Sequence, residues 1–335
     1  MRPRIQLLFG DTAGVGPEIC AKVLADLPGE TGSVQVIATG DGRVLEEAIA
    51  ATGVALSLPA VSTFEEVEAS DAPVVFWDYR SEDTPSIPRA AVSEAAGREV
   101  LTALTKAITL AKEEKIDGVV FAPFNKESMH RAGSSHYSEL ELFKEQFGRP
   151  DIPGEFNIMD GLWIARVTSH IPVGEIASTL SVERIAHTIE LLGESQVRAG
   201  VTPIFAVAAL NPHAGEHGMF GDEERRLIEP AIKQVATAHP DWALDGPMPA
   251  DTMFPRVLKG TYTGVIGMYH DQLQIATKLI GLERGVTFHP GMKVPIATAA
   301  HGTAFDIRGT GAANHQALKN AVSIVSEIAA GAGNS

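Results

Sequence analysis

At 335 residues, 44% of them hydrophobic, the chain exceeds the length at which one hydrophobic core usually stops growing, so two domains with a cleft between them are expected. A net charge of −15 without any cluster of Lys and Arg argues against nucleic acid and anionic membrane surfaces as partners, and no apolar run reaches the about 20 residues that span a bilayer. The single cysteine, Cys20, rules out an internal disulfide framework, fits a reducing cytoplasm and reads as a small core residue on a helix.

The first predicted element is a strand over 5–9. Arg2 and Arg4 precede it in the manner of a signal peptide, but the apolar run is shorter than the about 7–15 residues of a signal core. "GDTAGVGPEICAKVL" follows, a glycine-rich turn leading into a helix whose first turn suits Pro17 and Glu18. Gly14 and Gly16 permit close backbone approach, and exposed amides at a helix start favour an anion. The stretch is neither a Walker loop nor GxGxxG, since Ile19 stands at the third glycine position. A connecting turn without ligand is the alternative.

Strands are predicted over 34–38, 74–77 and 119–122, with a helix over 91–115 whose apolar stripe includes Val100, Leu104 and Ile108. The polar segment 125–138 is the best available domain boundary. Beyond it the pattern predicts strands over 162–167, 203–210 and 263–269, alternating with helices over 182–192, 222–236 and 317–329. Such alternation implies an α/β fold built on mostly parallel sheets.

Histidines stand just beyond three of these strands: His170, His213 and His270. In open parallel sheets the carboxyl ends of strands line the binding crevice, so the three imidazoles can converge on a divalent metal. Asp251 and Asp271 would orient the ligands or hold substrate hydroxyls. A hydrogen-bonded structural histidine is the alternative for each. "HGTAFDIRGTGAAN" then supplies His301, Gly302, Thr303, Ala304, Asp306 and Asn314, a set of donors, acceptors and a close-approach glycine suited to a ribose and an adenine edge.

Taken together, "GDTAGVGPEI", "NPHAGE", "PADT", "YHDQ" and "HGTAFDIRGTG", in this order along almost the whole chain, resemble the 4-hydroxythreonine-4-phosphate dehydrogenase family and its catabolic relatives. The resemblance implies a two-domain isocitrate/isopropylmalate dehydrogenase-like fold with an interdomain active-site cleft. It divides the chain into a cofactor-side domain, 1–125 with 302–335, and a domain over 126–301 carrying metal, substrate and dimer contacts. It also implies a cytoplasmic homodimer with a shared active site, acting in pyridoxine biosynthesis or in catabolism.

The chemistry implied is oxidation of the secondary alcohol of a small hydroxy acid by NAD or NADP, with decarboxylation of the resulting keto acid and a divalent metal (Zn, Mg, Co or Mn) as Lewis acid. By motif match His170, His213 and His270 are the metal ligands, Lys126, Asp251 and Asp271 the catalytic side chains, and the 301–314 loop the cofactor's adenosine site. An acid at Asp306 would accept from the ribose 2′-hydroxyl and repel a 2′-phosphate, whereas Arg308 would do the opposite.

Departures from the family pattern fall on the substrate. Alignment from "HRAG" replaces a substrate-binding histidine and threonine by Glu139 and Leu140; Lys278 is kept, an asparagine becomes Thr287 and an arginine becomes Ile296. Isoleucine cannot imitate a bidentate arginine, and a carboxylate at 139 would repel phosphate. Either His289 and Lys293 restore the charge, or the substrate is an unphosphorylated hydroxy acid or cyclic diol carboxylate. A metal-dependent hydrolase or lyase, and a catalytically silent binding protein, are the readings from other classes.

Overall fold

The computed structural model of the chain describes residues 2–27, 34–136 and 138–332. The elements run β1 (Arg4–Leu8), α1 (Gly16–Asp26), β2 (Gln35–Gly40), α2 (Gly42–Thr52), β3 (Ala60–Val61), α3 (Phe64–Glu68), β4 (Val74–Asp78), α4 (Glu94–Lys112) and β5 (Gly118–Phe121). They continue through α5 (Lys126–Arg131), α6 (Glu139–Phe147), β6 (Phe156–Met159), β7 (Leu162–Arg166), α7 (Ile176–Thr179), α8 (Val182–Arg198), β8 (Ile204–Ala208) and α9 (Glu229–Ala238). The last are β9 (Ala243–Met248), α10 (Ala250–Val257), β10 (Gly264–Gly267), α11 (His270–Gly281), β11 (Val286–His289), β12 (Ile296–Ala299) and α12 (Gln316–Ala332).

The chain forms two compact units: Met1–Arg149 with Glu283–Thr287 and Met292–Ser335, and Pro150–Leu282 with Phe288–Gly291. The expected division at 125 and 302 is therefore displaced at both ends, for two packing reasons. Gly97 of α4 lies so close to α5 that a Cβ there would meet the Ser128 carbonyl oxygen at 1.9 Å, so α5 belongs with α4 in the first unit. On return, β12 pairs with β5 in the register Ile296↔Val119, Ala297↔Val120, Thr298↔Phe121, which claims the segment before His301 for the first unit as well.

In the first unit the strand order is β3-β4-β2-β1-β5-β12, every pairing parallel. β1 and β2 are buried almost end to end, which is why they read as apolar-rich runs in sequence, and their buried Gln6 and Thr39 side chains meet in a hydrogen bond of 3.1 Å. The second unit orders its strands β6-β7-β10-β8-β9; β6 and β7 form an antiparallel hairpin and the rest are parallel. The hairpin turn holds Asp160 (φ 49°) and Gly161 (φ 82°), both left-handed as a tight two-residue hairpin turn requires. The helix expected over 222–236 opens with a π-turn, Glu224–Ile228, before α9 begins; Pro230, which has no N–H to donate, sits in the first turn of α9. Cys20 is fully buried, as its helix position implied, and burial pushes its thiol up.

Candidate active site

The carboxyl edge of the second unit's parallel strands collects the groups read from the sequence. β7 ends at Arg166 and leads to His170, β10 ends at Gly267 and leads to His270, β8 leads to His213 and β9 to Asp251, so the four side chains follow four laterally adjacent strands. Lateral hydrogen bonds join these ends. Thr168 donates from its amide and hydroxyl to the Met268 carbonyl at 3.1 and 2.8 Å. Gln272 accepts from the Met268 amide at 2.6 Å and donates to the Ala209 carbonyl at 2.5 Å. The Ala209 amide in turn donates to Met248 at 2.7 Å.

The result brings the rings of His170 and His270 to a centroid separation of 5.5 Å. His270 opens α11, and its Nδ1 lies 2.7 Å from the Asp271 carboxylate, which holds the ring. His213 is exposed and sits in a turn where His213, Ala214, Gly215, Glu216 and His217 all have positive φ, between 41° and 79°. Only the glycine adopts that conformation without steric cost, so the turn is strained. Glu224 holds it from below, accepting from the amides of Leu210 and Asn211 at 2.9 and 2.7 Å and from the Asn211 side chain at 3.0 Å.

Among the described residues no three His, Cys, Asp or Glu side chains are grouped closely enough to hold a metal ion; His213 is not gathered with the other two. The donor chemistry nonetheless fits a divalent metal, since His270 is arranged as a ligand imidazole is, with its second nitrogen on a carboxylate.

Sequence reasoning passed over the residue that braces this edge. Arg166, 2% exposed, donates to Ser169 Oγ at 3.1 Å, to Asn157 Oδ1 at 2.5 Å and to the Glu155 carboxylate at 3.1 Å, and Asn157 also accepts from Gln274 of α11. Burial pushes the Glu155 carboxyl up, but Arg166, with smaller help from His289 and His170, outweighs it and holds the group below the usual carboxylate range. The signal was present in "LWIARVTSH": a charged side chain closing an apolar strand four residues before His170.

In the first unit, Lys126 follows Asn125, whose side chain caps α5, and the lysine is 60% exposed with Nζ 3.9 Å from Glu139. The two side chains singled out from sequence thus form one loose ion pair. Two others do not belong to a binding surface: Leu140 is 8% exposed on the apolar side of α6 with Leu142 and Phe143, and Ile296 is a 1% exposed core residue of β12. Thr287 is half-buried on β11. Lys293 donates to the Lys112 carbonyl and pairs with Glu114 at 3.0 Å, so it is held on the surface beside α4; His289 is 3% exposed. In the second unit Asp251 and Lys278 are exposed, the latter two turns along α11 from His270.

The glycine-rich turn also differs from expectation. Residues 11–21 are all buried, a Cβ at Gly14 would meet the Thr303 carbonyl oxygen at 2.6 Å, and one at Gly16 would meet that of Phe9 at 2.2 Å. Gly14 and Gly16 are therefore glycine for internal packing, and the turn offers its Val15 amide to Thr303 at 2.9 Å rather than to a ligand. The loop it supports is the surface. There, Gly302 has nothing within 4 Å of its Cβ direction, and the His301 Nε2 is buried without a hydrogen-bond partner among the described residues, a donor or acceptor of the kind a nucleotide would satisfy. Ala304 is left-handed (φ 43°), Asp306 is exposed, and Asn314 accepts from the Gln316 amide at 2.9 Å, at the start of α12.

Beneath this loop lies a buried acidic pair that the sequence did not suggest. Burial raises the Asp11 carboxyl from 3.8 to about 6, against the Ala13 amide and Ser128. Burial also raises Glu99, against the Thr12 and Thr84 hydroxyls at 2.7 and 2.9 Å, with Asp41 and Asp11 adding to the rise.

Residues 32–325 match the family described as pyridoxal phosphate biosynthetic protein PdxA. A protein of Rhizobium meliloti (strain 1021), provisionally named 4-hydroxythreonine-4-phosphate dehydrogenase 2, is 40% identical over 329 residues, covering 98% of this chain and 94% of its own. One of Symbiobacterium thermophilum, provisionally named D-threonate 4-phosphate dehydrogenase, is 36% identical over 330 residues, covering 98% and 97%. Among solved structures, the 4-hydroxythreonine-4-phosphate dehydrogenase of Klebsiella pneumoniae superposes with a TM-score of 0.81 at 32% identity over 98% of each chain.

Proposed function

The chain belongs to the PdxA family, whose named members above are dehydrogenases, and from that membership we propose that it oxidises the secondary alcohol of a phosphorylated four-carbon hydroxy acid, with NAD or NADP as oxidant and a divalent metal at the site. The observation that carries the reading is the succession of His170, His270, His213 and Asp251 along the carboxyl edge of four adjacent strands, in a chain related to these dehydrogenases over almost its full length.

In the overall reaction the alcohol gives a hydride to the dinucleotide and a proton to a base and becomes a ketone; the carboxylate β to that ketone leaves as carbon dioxide, and the carbon it leaves takes up a proton. His170 and His270 would hold the cation, with His213 from the next strand end as the third candidate; the cation's contribution when bound would be to draw electron density from the alcohol oxygen. Asp271, on the His270 Nδ1, would fix that ring and leave Nε2 as the nitrogen for the cation. Lys126 is the candidate to move the proton, with Glu139 holding its ammonium in place. Lys278, exposed and without an ion pair among the described residues, is the candidate for the phosphate. Leu140 and Ile296, being core residues, no longer argue for an unphosphorylated substrate. A second copy of this chain is proposed as partner: Ile275 and Leu279, 65% and 84% exposed, lie one turn apart on the helix that begins at His270.

Nicotinamide absorbance should rise with phosphorylated four-carbon hydroxy acids, stop on chelation and return with added zinc or magnesium. Turnover of the unphosphorylated acids or cyclic diol carboxylates alone would overturn the phosphate assignment, and no reduction of either dinucleotide would overturn the dehydrogenase reading. Light scattering should give twice the mass of one chain.

A further inference from the structure

On the reading that His170 and His270 share a divalent cation, their spacing is a property the fold must set. Such an ion takes imidazole nitrogen at about 2.0–2.1 Å with a tolerance of about 0.2 Å, and the two rings stand 5.5 Å apart, centre to centre. The sheet does not reach them directly. β7 and β10 are in register as far as Arg166↔Gly267, and the Val167 and Thr168 amides extend the pairing to the Gly267 and Met268 carbonyls at 2.9 and 3.1 Å. Each histidine lies two residues past that last tie, His170 in a loop and His270 at the start of α11.

A chain of polar side chains continues where the ladder stops. The Arg166 guanidinium donates from Nε to the hydroxyl of Ser169, the residue before His170, at 3.1 Å, and from Nη1 to Asn157 Oδ1 at 2.5 Å. From the other side Gln274 Nε2 donates to the same Asn157 oxygen at 2.5 Å. Gln274 is one turn along α11 from His270 and on the same face, so what holds the glutamine also holds the end of the helix that carries the imidazole. A carbonyl oxygen has two lone pairs, and Asn157 Oδ1 directs one to each support.

A lysine at 166 could not do the same. The remaining guanidinium nitrogen, Nη2, donates to the Glu155 carbonyl at 3.2 Å and to its carboxylate at 3.1 Å, so four bonds leave one rigid plane toward three residues. Glu155 neutralises a charge that is otherwise sealed from water, the Arg166 side chain being 1% exposed. A buried ion pair adds little stability over an apolar pair of the same volume. A planar fork whose other bonds run to the supports of two histidines has the shape of a spacer.

We infer that Arg166, acting through Ser169 on one side and through Asn157 and Gln274 on the other, is a positioning residue that sets the spacing of His170 and His270 and so the affinity of the site for a divalent ion. Metal-free protein is titrated with zinc against a chromophoric chelator, and the visible spectrum of the cobalt(II)-loaded protein is recorded. Gln274→Met cuts the link to α11 and leaves Arg166 its own partners. It should bind zinc about tenfold more weakly and alter the cobalt spectrum, while the metal-free protein melts at an unchanged temperature. Arg166→Lys, which keeps the charge and loses the fork, should weaken zinc binding at least as much. Unchanged zinc affinity and an unchanged cobalt spectrum in Gln274→Met would overturn the inference, whatever its melting temperature. No zinc binding by the unaltered protein, or binding undiminished in His270→Ala, would instead overturn the two-histidine site on which the spacing rests.

Discussion

Two loops, 301–311 in the first unit and 210–217 in the second, are held by the same device and differ in what it holds. Each is fastened by one buried glutamate accepting backbone amides: Glu18 takes Gly309 and Gly311, and Glu224 takes Leu210 and Asn211. In the first loop the glutamate also pairs with a cation, Arg308, and a single non-glycine residue, Ala304, has positive φ. In the second it holds a turn of four non-glycine residues with positive φ, and His213 is among them. One loop is fixed at little conformational cost and suits the recognition of an invariant shape. The other is over-determined against strain, the condition under which strain persists at a functional position.

The comparison breaks most decisively at the two glutamates. Glu18→Ala leaves Arg308 buried beside only Glu47, and the unfolding free energy in urea is expected to fall by about 3–5 kcal/mol. Glu224→Ala leaves amides but no buried cation unpaired, and about 1–3 kcal/mol is expected. Equal losses would mean that the ionic part of the first clamp contributes nothing.

A smaller effect separates the acid groups of the first unit from the rest. Asp11 has a folded value near 6 against an ordinary 3.8, so the stability of its neutral form is complete below pH 3.8 and is lost as the pH rises through about 6. Asp11→Asn should therefore stabilise the protein by about 1–3 kcal/mol at pH 7.5 and by nothing below pH 3.8. Thermal melts across that range would show a constant difference if the burial of Asp11 were not the cause.

The finest test is the strain itself. Ala214→Gly in the second loop should stabilise by about 0.5–1 kcal/mol, the left-handed penalty less the entropy that glycine adds to the unfolded chain. Ala304→Gly should give a similar gain, one strained residue in the first loop against four in the second, and no gain there would confine the strain to the His213 turn.

Much of this was legible in the linear chain. The parallel strands of the first unit announced themselves because burial on both faces leaves apolar-rich runs, and His170, His213 and His270 could be placed at strand ends from similar runs in the second unit. Arg166 was not legible, since a charged residue ending an apolar strand looks like a surface residue until Glu155 and Asn157 are seen around it. Nor was the unit boundary: the polar segment 125–138 reads as a boundary, whereas the approach of Ser128 to Gly97 and the contacts of Lys112 with Gln146 and Phe147 fix α5 and α6 to α4.

Local patterning by itself determined the element types, the mostly parallel α/β class and, through five ordered motifs, the family, because hydrophobic period, turn chemistry and motif order are properties of neighbouring residues. Tertiary structure alone decided that Gly14 and Gly16 face Thr303 and Phe9, that Leu140 and Ile296 lie in the core, and that Arg308 faces Glu18 across 290 positions of sequence. Burial and charge pairing depend on which distant segments meet, and no local pattern encodes the partner.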